Sequence, residues 1–180
     1  MKYRKLTTNE LERNSISEYK NISRNKIIVV LDNIRSAQNV GSFFRTCDSF
    51  NVEKIFLCGI TSIPPNKEIL KTALGSTESV FWEYYENTVD CINILTRDGC
   101  IINSVEQAEN SINLVNYNPD LSKKNVYIFG NEVEGVSQEV LDLSNNCIEI
   151  PQFGTKHSLN VSVAAGIIIW DATSKIMTRD

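Results

Sequence analysis

Six short apolar runs, at residues 26–31, 54–58, 80–85, 100–105, 126–129 and 148–150, alternate with stretches of helical spacing or polar loop. No other feature constrains the fold as tightly. In the first run Lys26 leads into Ile27, Ile28, Val29, Val30 and Leu31 without a polar interruption, which predicts a strand buried on both faces. Between the first two runs Val40, Phe43, Phe44, Cys47 and Phe50 recur at i, i+3, i+4, i+7 and i+10, one apolar stripe on a helix over 39–50, with Arg45 nearly opposite it. Further helices are expected at 66–74, capped by Asn66 and stopped by Gly75, at 87–97, at 137–143 with Ser137 as cap, and at 159–177. Strands alternating with helices make an α/β fold with a mainly parallel sheet. The stretch between 105 and 126 reads as a long polar connection. Thr7 to Glu10 is a capping-box pattern opening a short helix through about Lys20, so residues 1–24 read as an N-terminal helical extension and 25–180 as one domain.

A chain of 180 residues that is 42% hydrophobic and 22% charged has the makeup of a soluble single domain. Its longest apolar run, around Ile167 to Trp170, is too short to cross a bilayer, and the charged N-terminus has no apolar segment of a secretory signal. The cysteines at 47, 58, 91, 100 and 147 form no CxxC pair and sit mostly in apolar runs, as free buried thiols of a cytoplasmic protein do. No metal-ligand spacing, P-loop or GxGxxG after a strand is present. The net charge of −4 gives no general grip on phosphate backbones. An RNA role then requires a local basic patch, a dimer groove or a small footprint.

Three polar loops follow strand C-termini, where parallel sheets bind ligands. The first, at 33–46, leads into a helix with Gly41 in its first turn, where a neighbour can approach closely, and Arg45 one turn on. A helix start with an arginine suits phosphate or carboxylate, although a lone arginine on a helix is more often a solvated group. In the second, at 129–137, Gly130 and Gly135 bracket Glu132 and Glu134; in isolation this reads as a capped turn with solvated glutamates. The third runs from Ile150 through Ser158 and Asn160 into an almost wholly apolar helix. His157, the single histidine, lies beside polar loop residues and reads as a surface group. Ser158 has no histidine–acid partners for a hydrolase triad.

Taken in order, these loops resemble the three motifs of the SpoU (TrmH-type) RNA ribose 2′-O-methyltransferases. The first motif, Asn-x-Gly-x-x-x-Arg, falls on Asn39, Gly41 and Arg45. The second, Gly-x-Glu-x-x-Gly, falls on Gly130, Glu132 and Gly135. The third, Ile-Pro-x-x-Gly-x-x-x-Ser-Leu-Asn-Val-Ser-Val-Ala, falls on residues 150–164, with Gln152 where many relatives carry methionine. The resemblance covers about residues 26–177. It implies an α/β knot with a C-terminal trefoil, S-adenosyl-L-methionine as methyl donor without a metal, and methylation of a ribose 2′-hydroxyl in tRNA or rRNA. The catalytic set it implies is Asn39, Arg45, Glu132, Ser158 and Asn160, with Gly130, Ile150 and Leu159 lining the donor through backbone. In the family the arginine is taken as the base and can be supplied across a dimer; because a guanidinium is a poor base, a clamp on the adjoining phosphate is the alternative role for Arg45.

A homodimer through the last helix is expected, because Val161, Val163, Ile167, Ile168, Trp170 and Ile176 cover more than one of its faces. The absence of an added RNA-binding domain favours tRNA over rRNA. Two other readings stand beside this one. A catalytically inactive knotted RNA-binding or assembly factor is disfavoured by the complete residue set. A knotted enzyme methylating a base nitrogen is disfavoured by the ribose-type motifs.

Overall fold

The protein is described by a computed structural model covering residues 2–178; residues 1, 179 and 180, at the outer ends of the two expected segments, lie outside the described residues. Seven strands form one sheet, every neighbouring pair parallel: β1 (Asn25–Asp32), β2 (Val52–Cys58), β3 (Trp82–Tyr85), β4 (Ile101–Val105), β5 (Ile112–Asn113), β6 (Asn125–Phe129) and β7 (Asn146–Glu149). Their order is β3-β2-β1-β6-β4-β7-β5. The helices are α1 (Ile16–Asn21), α2 (Ala37–Ser49), α3 (Lys67–Ala73), α4 (Ser76–Ser79), α5 (Thr88–Arg97), α6 (Gln138–Asp142) and α7 (Val161–Met177).

β1 is central and buried on both faces, as its unbroken apolar run predicts. Ile27, Val29 and Leu31 point into one core with Val40, Phe43 and Phe44 of α2 and Ile168 and Ile169 of α7. Ile28 and Val30 point into a second core with Cys91, Ile92 and Leu95 of α5. Period-2 alternation thus feeds two helical layers from one strand. Val40, Phe43, Phe44 and Cys47 of the α2 stripe are buried in the first core and Phe50 packs against its edge, while the Phe43 ring meets Phe129 edge-on at 5.2 Å between centroids. What approaches Gly41 so closely is α3. A Cβ there would collide with Thr72 Oγ1 and the Ile69 carbonyl, so the glycine serves helix packing and not a ligand.

Several elements depart from the sequence expectations, each for a local reason. The segment opening at Thr7 is a 3-10 turn, Thr8–Leu11, which ends where Glu12 turns left-handed (φ 44°); a second capping box, Ser15 with Glu18, then starts α1. Without buried residues, neither piece has the tertiary packing that would carry one helix across both. The connection after β4 contains β5, a two-residue edge strand on β7, and a 3-10 turn, Leu114–Asn116. Two residues carry too little periodicity to be read as a strand. Ser137 stands at the start of α6, yet its hydroxyl does not cap that helix.

β7, last in the chain, inserts between β4 and β5, and α7 then returns to pack over β1 and α2. The C-terminal segment therefore enters a sheet whose flanking strands precede it in sequence.

Candidate active site

Parallel pairing brings the C-terminal ends of β1, β6, β4 and β7 to one edge of the sheet, and the motif loops leave from there. Glu132, in the loop after β6, joins them. One carboxylate oxygen accepts the Arg35 N–H at 2.8 Å; the other accepts the Ser36 N–H at 3.0 Å and Asn39 Nδ2 at 2.9 Å. Asn39 Oδ1 in turn accepts Asn160 Nδ2 at 3.2 Å. Asn160 Oδ1 caps α7, taking the N–H groups of Ser162 at 2.9 Å and Val163 at 3.4 Å. One chain of hydrogen bonds therefore runs through all three motifs. Burial pushes the Glu132 carboxyl pKa up, but the bonds from Arg35, Asn39 and Ser36 outweigh it and hold the group below its ordinary value. Glu132 is accordingly a fixed anion at neutral pH.

Beside this chain opens a cleft of about 600 Å³, within the usual size of small-molecule sites. Gly130, Ile150 and Leu159 line it, as do Glu132, Ser158 and Asn160. Asn39 stands behind, held by Glu132 and Asn160. Val105, Phe129, Ile148 and Ala164 give the cleft an apolar floor, and its charged lining groups are Glu106, Glu132 and Glu134. The Ser158 hydroxyl makes no hydrogen bond among the described residues. Gly130 is required by the turn itself. A Cβ there would strike the backbone of Gly135 and Val136, so the glycine lets the two limbs of the loop close on each other, tied by the paired bonds between Asn131 and Gly135.

Arg45 is not brought to the cleft. It is exposed on the outer side of α2 and borders a separate hollow with Ser42, Ser49, Phe50, Lys71 and Thr72. Six residues beyond Asn39 on one helix, it is displaced by about 9 Å along the axis and points elsewhere. It shares its side of α2 with Gly41 and therefore faces α3.

Two site-building residues carry no mark in the motifs. Glu106, directly after β4, accepts the Val136 N–H at 3.0 Å and abuts Gly135, whose φ of 70° and lack of a side chain the contact demands. Its place at a strand C-terminus was the available signal. Asn131 occupies a variable motif position; its amide donates to the Asn33 carbonyl at 2.8 Å and accepts the Val133 N–H at 2.9 Å. Among the described residues no cluster of His, Cys, Asp and Glu could hold a metal. All five cysteines are free; four are buried and Cys147 is partly exposed.

Comparison with known proteins agrees with this geometry. Residues 26–170 match the model of the SpoU rRNA Methylase family. The chain is 32% identical over 148 residues to the tRNA (guanosine(18)-2′-O)-methyltransferase of Aquifex aeolicus, covering 81% of this chain and 68% of that one. Among solved structures, the A. aeolicus TrmH/SpoU tRNA modifying enzyme superposes with a TM-score of 0.80 at 29% identity, covering 91% of this chain and 82% of that one. The AdoMet-bound rRNA methyltransferase of Sinorhizobium meliloti gives 0.77 at 27% identity, covering 87% of this chain but 59% of that longer one. With the motifs in order, the cleft at the strand ends and a family match across both, this chain belongs to the SpoU rRNA Methylase family.

Proposed function

We propose that the chain is an S-adenosylmethionine-dependent RNA methyltransferase acting on a ribose 2′-hydroxyl, with tRNA as its substrate. The observation that carries this reading is the charge of the cleft. Its three charged lining groups are carboxylates, and no lysine, arginine or histidine stands among them. Such a site, with an apolar floor and backbone-rich walls, suits a ligand that joins a flat base to a positive centre. Bound there, the donor would supply an electrophilic methyl group on a sulfonium. Gly130, Ile150 and Leu159 would hold it. Glu132, fixed by its three bonds, orients the 35–39 loop, and the free Ser158 hydroxyl is available to a substrate nucleotide. Rate would come largely from alignment of the ribose hydroxyl.

Ribose oxygen and tRNA are favoured over a base nitrogen and rRNA by the activity of the A. aeolicus relative, a tRNA (guanosine(18)-2′-O)-methyltransferase. The inactive-factor alternative has no such support. Residues 25–180 form the methyltransferase domain on this reading and residues 1–24 an extension, with the family match beginning at residue 26 in support. A trefoil knot and a cytoplasmic location follow from the same reading. No helix among the described residues is long and apolar enough to cross a membrane.

A homodimer through α7 is part of the proposal. Val163, Ile167, Trp170 and Met177, at 52%, 37%, 52% and 65% exposure, form a second apolar stripe opposite the buried one. Trp170 packs on Phe50 at 5.6 Å between ring centroids, so the stripe adjoins the hollow that holds Arg45. Pairing along it puts Arg45 at the interface, within reach of the partner's cleft, where its guanidinium would clamp the phosphate of the target nucleotide and steady the developing alkoxide.

The test is incubation of the protein and donor with bulk tRNA and, separately, rRNA, followed by digestion and mass spectrometry of nucleosides. A 2′-O-methylnucleoside from tRNA is expected. A methylated base, or donor binding without transfer to any RNA, overturns the reading.

A further inference from the structure

Behind the 130–136 loop, on the side away from the donor cleft, lies a second hollow of about 490 Å³. The two cavities share Asn131, Val133, Glu134 and Gly135 as a common wall. The wall is built stiffly. The Asn131 amide bridges to Asn33 and to its own loop, and Asn33 Oδ1 accepts the Ile60 N–H at 3.1 Å. The buried Asp32 carboxylate is consumed by Thr88 at 2.6 Å, Asn33 at 2.8 Å and the Ser137 N–H at 3.4 Å.

Against this background three polar groups lining the hollow are left unused among the described residues: the Arg35 guanidinium, the Glu134 carboxylate and the Ser137 hydroxyl. Arg35 and Glu134 carry opposite charges at one cavity and yet form no ion pair. Ile60 and Val133, 66% and 73% exposed, add two apolar surfaces. A donor fork, an acceptor pair and apolar faces around one hollow match a flat heterocycle with complementary edges. Guanine alone among the RNA bases offers two adjacent N–H donors, N1 and N2, on one edge and two adjacent acceptors, O6 and N7, on another. A carboxylate accepts the first pair, and an arginine fork donates to the second.

We propose that this hollow receives the guanine base of the nucleotide whose ribose is methylated, Glu134 taking N1–H and N2–H and Arg35 the O6/N7 edge. The proposal deepens the methyltransferase reading and rests on it for the identity of the ligand as part of an RNA.

Two measurements separate the two ideas. In the first, ligand-detected NMR compares GMP, IMP, AMP, CMP and UMP with the protein. GMP should bind best, IMP more weakly because it lacks the 2-amino group, and the others least. Glu134→Gln and Arg35→Gln should each erase the preference; both side chains are exposed and unpartnered, so neither change threatens the fold, and Arg35→Gln, whose side chain does not line the donor cleft, should leave S-adenosylmethionine binding unchanged. In the second, the methylated nucleotide is mapped and replaced by inosine. That should lower kcat/KM by about ten-fold in wild type, the scale of one good base contact, and much less in Glu134→Gln. GMP preference without RNA methylation would sink the methyltransferase reading and leave a guanine site. Methylation of a non-guanine nucleotide, or a guanine–inosine ratio unchanged by Glu134→Gln, would overturn the slot.

Discussion

Glu132 does more at the residue scale than a motif position suggests. It fastens two backbone N–H groups and one side chain of the first motif to the second. Glu132→Gln keeps the shape but loses the charge and one acceptor. Methyl transfer should fall by about 100-fold, the usual cost of a lost charged group in a preorganised site. Amide exchange at Arg35 and Ser36 should quicken, a readout that inactivation without loosening would not give. The pH dependence has a definite sign. The folded pKa lies below the ordinary 4.5, so the carboxylate stabilises the fold above that pH and ceases to as pH drops through the lower folded value. The difference in melting temperature between wild type and Glu132→Gln should therefore be flat at neutral pH and shrink on acidification below 4.5; a difference that grows there refutes the hydrogen-bond account. That Asn39, Glu132 and Asn160 come together was legible because motif spacing survives in sequence. The other partners of Glu132 were not, since two of its three bonds are to backbone N–H groups, which any residue could supply.

Elements were legible where periodicity is long and obscure where it is short. The α2 stripe and the unbroken β1 run fixed their own burial, whereas β5, two residues long, had no pattern to show. Glycines mislead in a particular way: sequence says that something comes close, and only packing says what. At Gly41 it is α3, and at Gly130 it is the return limb of the same loop. Gly41→Ala should thus cost about 1–3 kcal/mol by overpacking α2 against α3, read as a lower melting temperature with donor affinity per folded molecule unchanged. Gly130→Val should abolish donor binding by breaking the Asn131–Gly135 turn, beyond any filling of the cleft. If Gly130→Val binds donor as wild type does, the turn is not what shapes the cavity.

Over the whole molecule, α7 carries two apolar stripes and the chain's own core covers only one of them, a surplus already visible in the sequence pattern. What sequence could not supply was that Arg45, though part of the first motif, stands apart from the cleft that residues of the second and third motifs line. A motif fixes spacing along a helix; which face meets which cavity depends on the packing of that helix. The separation makes the dimer testable through chemistry as well as mass. Trp170→Glu should convert a dimer to a monomer in sedimentation equilibrium and abolish methyl transfer while leaving donor binding in place. Arg45→Ala should also be inactive, yet folded and dimeric, because its side chain is exposed and unpacked. Arg45→Ala and Glu132→Gln, each inactive alone, can then be mixed and allowed to exchange subunits. If Arg45 serves the partner's cleft, each mixed dimer regains one intact site, formed by the arginine of one chain and the glutamate of the other. Random pairing of equal amounts in a two-fold dimer gives about a quarter of wild-type activity. If Arg45 serves its own cleft, every site in every dimer lacks one of the two groups and the mixture stays inactive, which would place the arginine's reach within the chain and remove the catalytic reason for the second stripe of α7.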